Sequence, residues 1–443
     1  MDFKWHQSRK RKLGYTRRDP LCSTLYRVVY NLHEKLEHCW EERYQQRYGA
    51  FRHELREAFH KFLDCGVLSH GCARAVCEND NCKHSKLIPL SCKCRGICPS
   101  CETKRMLLFA EHMHEETLKP VPHRHLVLTL PKMLRAFFRY DRSLNDILFT
   151  ATRETVFELY AELYPEGKSA IITALHCIND LIEFNPHTHS IIPDGVFMPD
   201  GSFTQLSLDV DAIQKLFEHK VLFALKQKNL ITDTLIAQLN SWKHSGFSAW
   251  LGPQIKPEQQ GARLFISEYV NKAQIKLNRI EIIEKQNSEH TIIRCHKDKN
   301  TSKDYSPMDF LAAVSATVPD KWEQSVRYAG YYASKTKGKR RELEEKKLAE
   351  QVDADDNDNI RLIKPPPEQK KKASRSWVRL IRKVYEADPL TCPKCGENMK
   401  VIAVITDPKQ ATRIATHLGT PPYRAPPPFI SDTNSAKQLQ FAA

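Results

Sequence analysis

The chain of 443 residues has a net charge of +15, with 68 Lys and Arg residues against 53 Asp and Glu. One hydrophobic core rarely grows beyond about 250–300 residues, which excludes a single compact domain and predicts two or more. The basic excess favours a polyanionic partner such as nucleic acid. The sequence shows no apolar run of about 18 residues and no signal segment, so we expect a cytoplasmic protein without membrane contact.

Residues 1–60 are predicted to form a helical lead-in. Apolar residues recur there at helical spacing, and no glycine interrupts residues 21–48. The residues of this apolar stripe are Leu25, Val28, Val29, Leu32 and Leu36.

Residues 61–110 are predicted to form a zinc-binding module. Eight cysteines crowd between Cys65 and Cys101, which is too dense for ordinary buried thiols. The two-residue spacing of Cys98 and Cys101 is typical of a zinc knuckle, and Cys77 with Cys82 could supply the opposite one. We expect one Zn²⁺ ion, and the number of cysteines would allow a second. Its role would be structural, because a zinc ion bound by four thiolates has no open position for water. Cys65 and Cys92 are further candidate ligands.

The next part of the chain mixes strands and helices, which predicts an α+β domain. Alternating apolar residues indicate strands over residues 120–132, 170–177 and 184–192, with a turn at Asn179 and Asp180 between the last two. Residues 136–163 and 209–240 are predicted to be helical.

His187 and His189 lie one residue apart in the third of these strands. Residues i and i+2 of a strand point to the same face, so the two imidazoles could bind one metal ion. Taken alone, such a pair in a strand is more often an ordinary half-buried one than a pair of metal ligands. His176 is a candidate third ligand, although a hairpin turning near Asn179 would pair it with about residue 184.

A candidate nucleophile, Tyr269, follows in a predicted helix over residues 263–276. On this helix Lys272 and Lys276 would share a face with Tyr269, and nearby positive charge helps a tyrosine attack a phosphodiester. Lys272, Lys276 and Arg263 are the candidate DNA-binding residues. A half-buried tyrosine with solvated lysines is the structural alternative.

Three tyrosines form a rival cluster, and the C-terminal part is modular. Tyr328, Tyr331 and Tyr332 could act as the nucleophile or stack on bases. Residues 337–375 are highly charged and predict a linker, followed by a module over residues 376–420 and a flexible tail over residues 421–443. In this module Cys392 and Cys395 repeat the knuckle without a second pair nearby, so they either use distant ligands or have lost the metal.

Five motifs in this order resemble the rolling-circle insertion-sequence transposases of the HUH class, in particular the group related to the common-region elements. The resemblance covers residues 50–335 and 376–415. It rests on the cysteine module ending CPSC and on the segments VPHRHLVLTLPKMLR, FNPHTHSIIPDGVF, RLFISEYVNKAQIKLNRIEI and DPLTCPKCGENMKVIAVI.

The resemblance implies a nuclease domain over residues 118–285 with a ferredoxin-like antiparallel sheet, and an accessory domain over residues 286–336. It also implies that His187 and His189 bind Mg²⁺ or Mn²⁺. Tyr269 would attack single-stranded DNA at transposon ends, leaving a 5′-phosphotyrosine and a free 3′-hydroxyl. A role at the nucleoid follows from the same resemblance.

The chain departs from the family pattern at three points. Phe265 stands where some members have a second tyrosine, so the chain resembles a single-tyrosine member. Asn185 replaces a histidine that often begins the core motif, and Lys272-Ala-Gln replaces a basic-Pro-Pro stretch. Two other functions remain open: a replication initiator with the same chemistry, and a non-catalytic zinc-dependent DNA-binding protein.

Overall fold

A computed structural model describes residues 23–242, 244–284, 291–338, 342 and 390–430. Most of the predicted charged linker, the tail from residue 431 and the first 22 residues lie outside the described residues. The helices are α1 (Thr24–His38), α2 (Trp40–Arg43), α3 (Gln45–Tyr48), α4 (His53–Asp64), α5 (Pro99–His112), α6 (Arg135–Tyr140), α7 (Asn145–Leu163), α8 (Val210–Gln227), α9 (Asp233–Ser241), α10 (Gln260–Val270), α11 (Pro307–Val314) and α12 (Pro408–His417).

The strands form four sheets, and every pairing among the described residues is antiparallel. The fold is therefore a mixture of helices and antiparallel sheets. The strands are β1 (Cys72–Cys77), β2 (Ser85–Pro89), β3 (His123–Thr129), β4 (Ala170–Ile178), β5 (Phe184–Pro193), β6 (Gly195–Phe197), β7 (Phe203–Gln205), β8 (Ser248–Leu251), β9 (Ile280–Glu284), β10 (Thr291–His296), β11 (Ser302–Tyr305), β12 (Val326–Gly330) and β13 (Met399–Ile405).

The central sheet has five strands in the order β12-β4-β5-β3-β8. Its three inner strands are the three that the alternating pattern predicts. Leu126 and Leu128 pack with residues of α7 and α8 on one face. Ile172 and Ile191 pack with Ile266 of α10 on the other. Because both faces are covered, β4 is buried along its whole length.

The two long predicted helices are each interrupted. Residues 136–163 divide into α6 and α7, and the carboxylate of Asp141 between them accepts a hydrogen bond from Ser143 N. Residues 209–240 divide into α8 and α9, where the Thr232 hydroxyl accepts from Leu235 N. Side chains of this kind compete with the helical pattern of hydrogen bonds, so a new helix begins at each cap.

Two predicted boundaries differ from the structure. Strand β12 (Val326–Gly330) pairs with β4, so residues of the predicted accessory domain form an edge of the central sheet. The apolar stripe of α1 shares one core with Ile293 and Phe310, which joins the predicted lead-in to the predicted accessory domain. An amphipathic helix must bury its stripe against some other element.

The cysteine-rich segment and the C-terminal module also form one unit. Strand β1 pairs with β2 on one side and with β13 on the other, which joins residues 72–77 to residues 399–405. Ala411 and Ala415 of α12 pack against Leu68 and Ile405. Across the described part of the chain, no helix has the length and apolar character needed to cross a bilayer.

A buried ion pair holds the segment before β12. Arg142 donates from Nε and Nη2 to the carboxylate of Glu323, at 3.1 and 3.0 Å, and from Nη1 to Ala316 O. Both side chains are at most 15% exposed. Asp320 N and Asn145 Nδ2 also donate to Glu323. Removing this carboxylate would leave a buried guanidinium without its counter-ion.

We therefore expect Glu323→Ala to lower the free energy of unfolding by about 3–5 kcal/mol, the range for breaking a buried pair. Urea unfolding followed by circular dichroism measures the change. The matched control is Glu154→Ala, which removes an exposed partner of Arg153 and should change stability by less than about 1 kcal/mol. Equal effects of the two substitutions would contradict the stabilising role of the buried pair between Arg142 and Glu323.

Candidate active site

A β-bulge in the β4–β5 hairpin sets the positions of the histidines. Ile178 pairs with Phe184 and His176 pairs with His187, so between these pairs one residue of β4 opposes two residues of β5. Pro186, which has no N–H to donate to a strand ladder, lies in this interval. The expected pairing of His176 with residue 184 is therefore wrong, and the bulge brings His176 beside His187.

His176, His187 and His189 form one cluster. A ring nitrogen of each lies within 4.8 Å of the other two. His187 Nδ1 donates to Asn185 O at 2.6 Å and His176 Nε2 donates to Val270 O at 3.0 Å, so each ring keeps its other nitrogen as a lone-pair donor. His189 Nε2 is buried with no hydrogen-bond partner among the described residues. Three such nitrogens fit one metal ion.

Burial keeps these imidazoles neutral. Desolvation is the main cause that lowers the pKa of His187 to about 4, and it holds the pKa values of His176 and His189 well below the usual range. The positive charge of Lys272 contributes to each shift. The neutral form of histidine is the one that binds metal.

The sequence interpretation missed a fourth histidine, His125 on β3. Its Nε2 lies 3.0 Å from His189 Nδ1, and the two rings stack with centroids 5.1 Å apart. A hydrogen bond on Nδ1 leaves Nε2 of His189 for a metal, so His125 is placed to orient this candidate ligand. A sequence signal existed: His123 and His125 repeat the His-x-His alternation in a predicted strand.

Tyr269 lies beside the cluster. Its ring centroid is 5.5 Å from that of His189 and 5.5 Å from that of His125. Helix α10 ends at Val270, so the predicted helix through residue 276 is too long. Lys272 nevertheless reaches Tyr269 from the following segment, with Nζ 3.6 Å from the ring centroid. Tyr269 is 36% exposed, so it is accessible from solvent.

The other two basic candidates make structural contacts. Lys276 Nζ lies 2.7 Å from the carboxylate of Asp180 and fixes the segment after α10 to the β4–β5 turn. Arg263 is buried and donates from Nη2 to Leu118 O and Lys119 O, each at 3.0 Å. This placement differs from the expected DNA contact of Arg263, because these main-chain bonds hold its guanidinium in the interior.

The rival tyrosines occupy packed positions. Tyr332 is buried and its hydroxyl lies 2.7 Å from His123 Nε2. Tyr331 stacks on Phe197 with ring centroids 3.7 Å apart. Tyr328 lies on β12 opposite Ile172. None of these three rings contacts the histidine cluster among the ring contacts of the described residues.

Six of the eight cysteines of the zinc-binding module belong to two clusters, and the other two, Cys72 and Cys94, belong to neither. The expected combination of Cys77 and Cys82 with Cys98 and Cys101 is wrong, because β1 carries Cys77 to the C-terminal module. One cluster consists of Cys65, Cys92, Cys98 and Cys101, and the other of Cys77, Cys82, Cys392 and Cys395.

Two family models match the chain. A transposase zinc-binding domain matches residues 35–130, and the model described as "Putative transposase" matches residues 170–340. The chain is 24% identical to the transposase for insertion sequence element IS801 of Pseudomonas savastanoi, over 83% of this chain and 88% of that protein. It is 28% identical to the "Putative transposase y4qJ" of Sinorhizobium fredii, over 36% of this chain and 41% of that protein. No solved structure matches.

We expect His125→Phe to weaken Mn²⁺ binding by about 10- to 100-fold, the usual effect of removing a residue that orients a histidine ligand. Electron paramagnetic resonance of the free ion during titration measures the affinity without any turnover. His53→Ala, which changes an exposed histidine of α4, is the control and should leave the affinity unchanged. An unaltered affinity in His125→Phe would show that His125 does not orient His189.

Proposed function

The chain belongs to the family of insertion-sequence transposases described by these two domain models, and we propose that it nicks and rejoins single-stranded DNA at element ends by rolling-circle transposition. The observation that carries the proposal is the position of Tyr269, 5.5 Å from the ring of His189 in a cluster of three neutral imidazoles. A nucleophile beside a metal site is the arrangement that phosphodiester cleavage needs.

The sheet supports the HUH subclass. His187 and His189 lie on β5, the middle strand of a five-stranded antiparallel sheet with helices on both faces. This agrees with the ferredoxin-like nuclease that the sequence resembles. In chain order the histidine pair precedes the tyrosine, as in the transposases and replication initiators of that class.

In the proposed step, Tyr269 Oη forms a bond to the scissile phosphorus while the bond from phosphorus to the 3′-oxygen breaks. The phenol proton passes to solvent, and the leaving oxygen takes a proton to become a 3′-hydroxyl. The tyrosine retains the 5′-phosphate, so a 3′-hydroxyl can later reverse the step without an external energy source. A divalent ion on His176, His187 and His189 would supply charge neutralisation at the phosphate.

Lys272 supports the same step. Burial, as the main cause, and the charge of the neighbouring Lys276 together lower the pKa of Lys272 to about 8. In most molecules Lys272 therefore still carries a positively charged ammonium group at neutral pH. Held over the tyrosine ring, this cation stabilises negative charge on the phenolate and on an approaching phosphate.

The ligand set favours Mn²⁺ over Mg²⁺. Three imidazoles converge and the cluster contains no carboxylate among the described residues. Mg²⁺ prefers oxygen ligands and releases its waters reluctantly, whereas a first-row transition ion accepts imidazole nitrogen more readily. Of the two ions expected from the sequence, Mn²⁺ fits this site better.

Exposed aromatic rings beside the site support an unpaired strand as the substrate. Trp250 of edge strand β8 is 52% exposed, and its ring lies 5.3 Å from that of His125. Phe265 is 49% exposed and stacks on Tyr269 at 5.9 Å. Bases of a single strand can stack on such rings, whereas bases inside a duplex cannot.

Tyr269→Phe should abolish the covalent adduct between the protein and end-labelled single-stranded DNA from the element terminus in the presence of Mn²⁺. The change removes only the attacking hydroxyl. A denaturing gel detects the adduct, and His187→Ala combined with His189→Ala should abolish it too. Tyr328→Phe is the matched control for the rival cluster and should leave the adduct intact. An adduct that survives in Tyr269→Phe would contradict the assigned nucleophile.

Trp250→Ala should weaken the binding of a single-stranded oligonucleotide by about 5- to 150-fold, because one base stack contributes about 1–3 kcal/mol. Fluorescence anisotropy without metal measures binding separately from cleavage. The control is Trp322→Ala, which removes an 85% exposed ring just before β12, the opposite edge of the sheet from β8. Equal losses in both variants would contradict a stacking role for Trp250.

A further inference from the structure

Four thiols that are far apart in sequence meet between β1 and the C-terminal module. Cys77 Sγ lies 3.4 Å from Cys395 Sγ, and Cys82 Sγ lies 3.7 Å from Cys392 Sγ. All four sulfurs are within 4.8 Å of one another. Two of the four thus come from residues beyond the matched zinc-binding domain, which ends at residue 130.

The spacing of the sulfurs fits a tetrahedral metal site. Thiolates bound to Zn²⁺ at about 2.3 Å are separated from one another by about 3.8 Å, close to the distances seen here. The sulfurs of a disulfide would be about 2.05 Å apart, and none of the four is in a disulfide.

The turns around these cysteines aim their sulfurs at a common point. Gly396 follows Cys395 with φ of +79° and donates its N–H to Cys392 O. On the other side Lys83 follows Cys82 with φ of +48°, and Cys82 N donates to Asn79 O. Two tight turns of this kind, facing each other, form the knuckles of a structural zinc site.

We propose that Cys77, Cys82, Cys392 and Cys395 bind one zinc ion that fastens the C-terminal module, residues 390–430, to the zinc-binding module. The proposal is independent of the strand-transfer chemistry. The second zinc ion of the chain would be held by Cys65, Cys92, Cys98 and Cys101. One ion lies within a single segment, and the other joins segments that are more than 300 residues apart.

The interface needs such a link because its apolar core is small. Two clusters of five buried residues each join β1 to the C-terminal module. On β13, Ile402 and Val404 are 54% and 64% exposed, so they contribute little burial. A module with so little buried surface depends on other links for its stability, and metal binding contributes directly to folding free energy.

The segment after α12 makes a second attachment, which decides how the proposal must be tested. Arg424 donates to Leu63 O and Cys65 O, at 3.1 and 2.8 Å, and Ile430 is buried in the core around α1. Loss of zinc therefore need not release the module. Zinc content and the protection of the thiols from alkylation therefore test the proposal more directly than release of the module would.

The first test is the zinc content of the full chain by mass spectrometry of the metal. Cys392→Ser combined with Cys395→Ser should carry one zinc ion fewer per chain than wild type. Cys94→Ser is the matched control, since Cys94 lies in the cysteine-rich segment but in neither cluster, and it should carry as many zinc ions as wild type. An unchanged zinc content in the double variant, or the loss of an ion in Cys94→Ser, would overturn the ligand set.

The second test uses unaltered protein, so a variant that fails to fold does not affect it. Zinc-bound thiolates resist alkylation, and peptide mass spectrometry locates each modified cysteine. Cys77, Cys82, Cys392 and Cys395 should be protected together in the zinc-loaded chain and become reactive together when a chelator removes the metal. Protection of Cys77 and Cys82 while Cys392 and Cys395 react freely would overturn the proposal.

Discussion

The β-bulge between Phe184 and His187 is the feature on which the candidate active site depends. It shifts the register so that His176 pairs with His187. Helix α10, which carries Tyr269, and the segment after it contact β4 at the same place. Cys177 N donates to Gln274 Oε1 at 2.6 Å, and His176 donates to Val270 O at the end of α10. Bulges often lie beside active sites because they re-aim side chains. Here one bulge positions a candidate metal ligand and the helix of the candidate nucleophile.

Burial on both faces of the central sheet determines the chemistry of the histidines. His176 and His189 are buried and His187 is partly buried, and this desolvation lowers the pKa values of all three, so protonated imidazoles are unfavourable. The positive charge of Lys272 lowers these pKa values further. Aromatic rings remain open beside this cluster, where a DNA strand could approach. The candidate site thus places buried histidines next to exposed aromatic rings.

Segments that are distant in sequence share cores throughout the molecule. The lead-in helix α1 packs with α11, β12 completes the sheet begun by β3, and β13 extends the sheet of the cysteine-rich segment. The modules that composition suggests are therefore not independent in space. A change near either end of the described chain is expected to reach the structure that surrounds the active site, because these shared cores connect them.

Local pattern determined much of this protein from sequence alone. Alternation located the three inner strands and placed His187 with His189 on one face, and the cysteine density indicated metal. Sequence could not determine that His176 opposes His187, that His125 contacts His189, or that Cys77 lies beside Cys395. Periodicity specifies which way a side chain points within its own element, whereas strand register and the convergence of distant thiols depend on how the whole chain packs. Only the tertiary structure decides those positions.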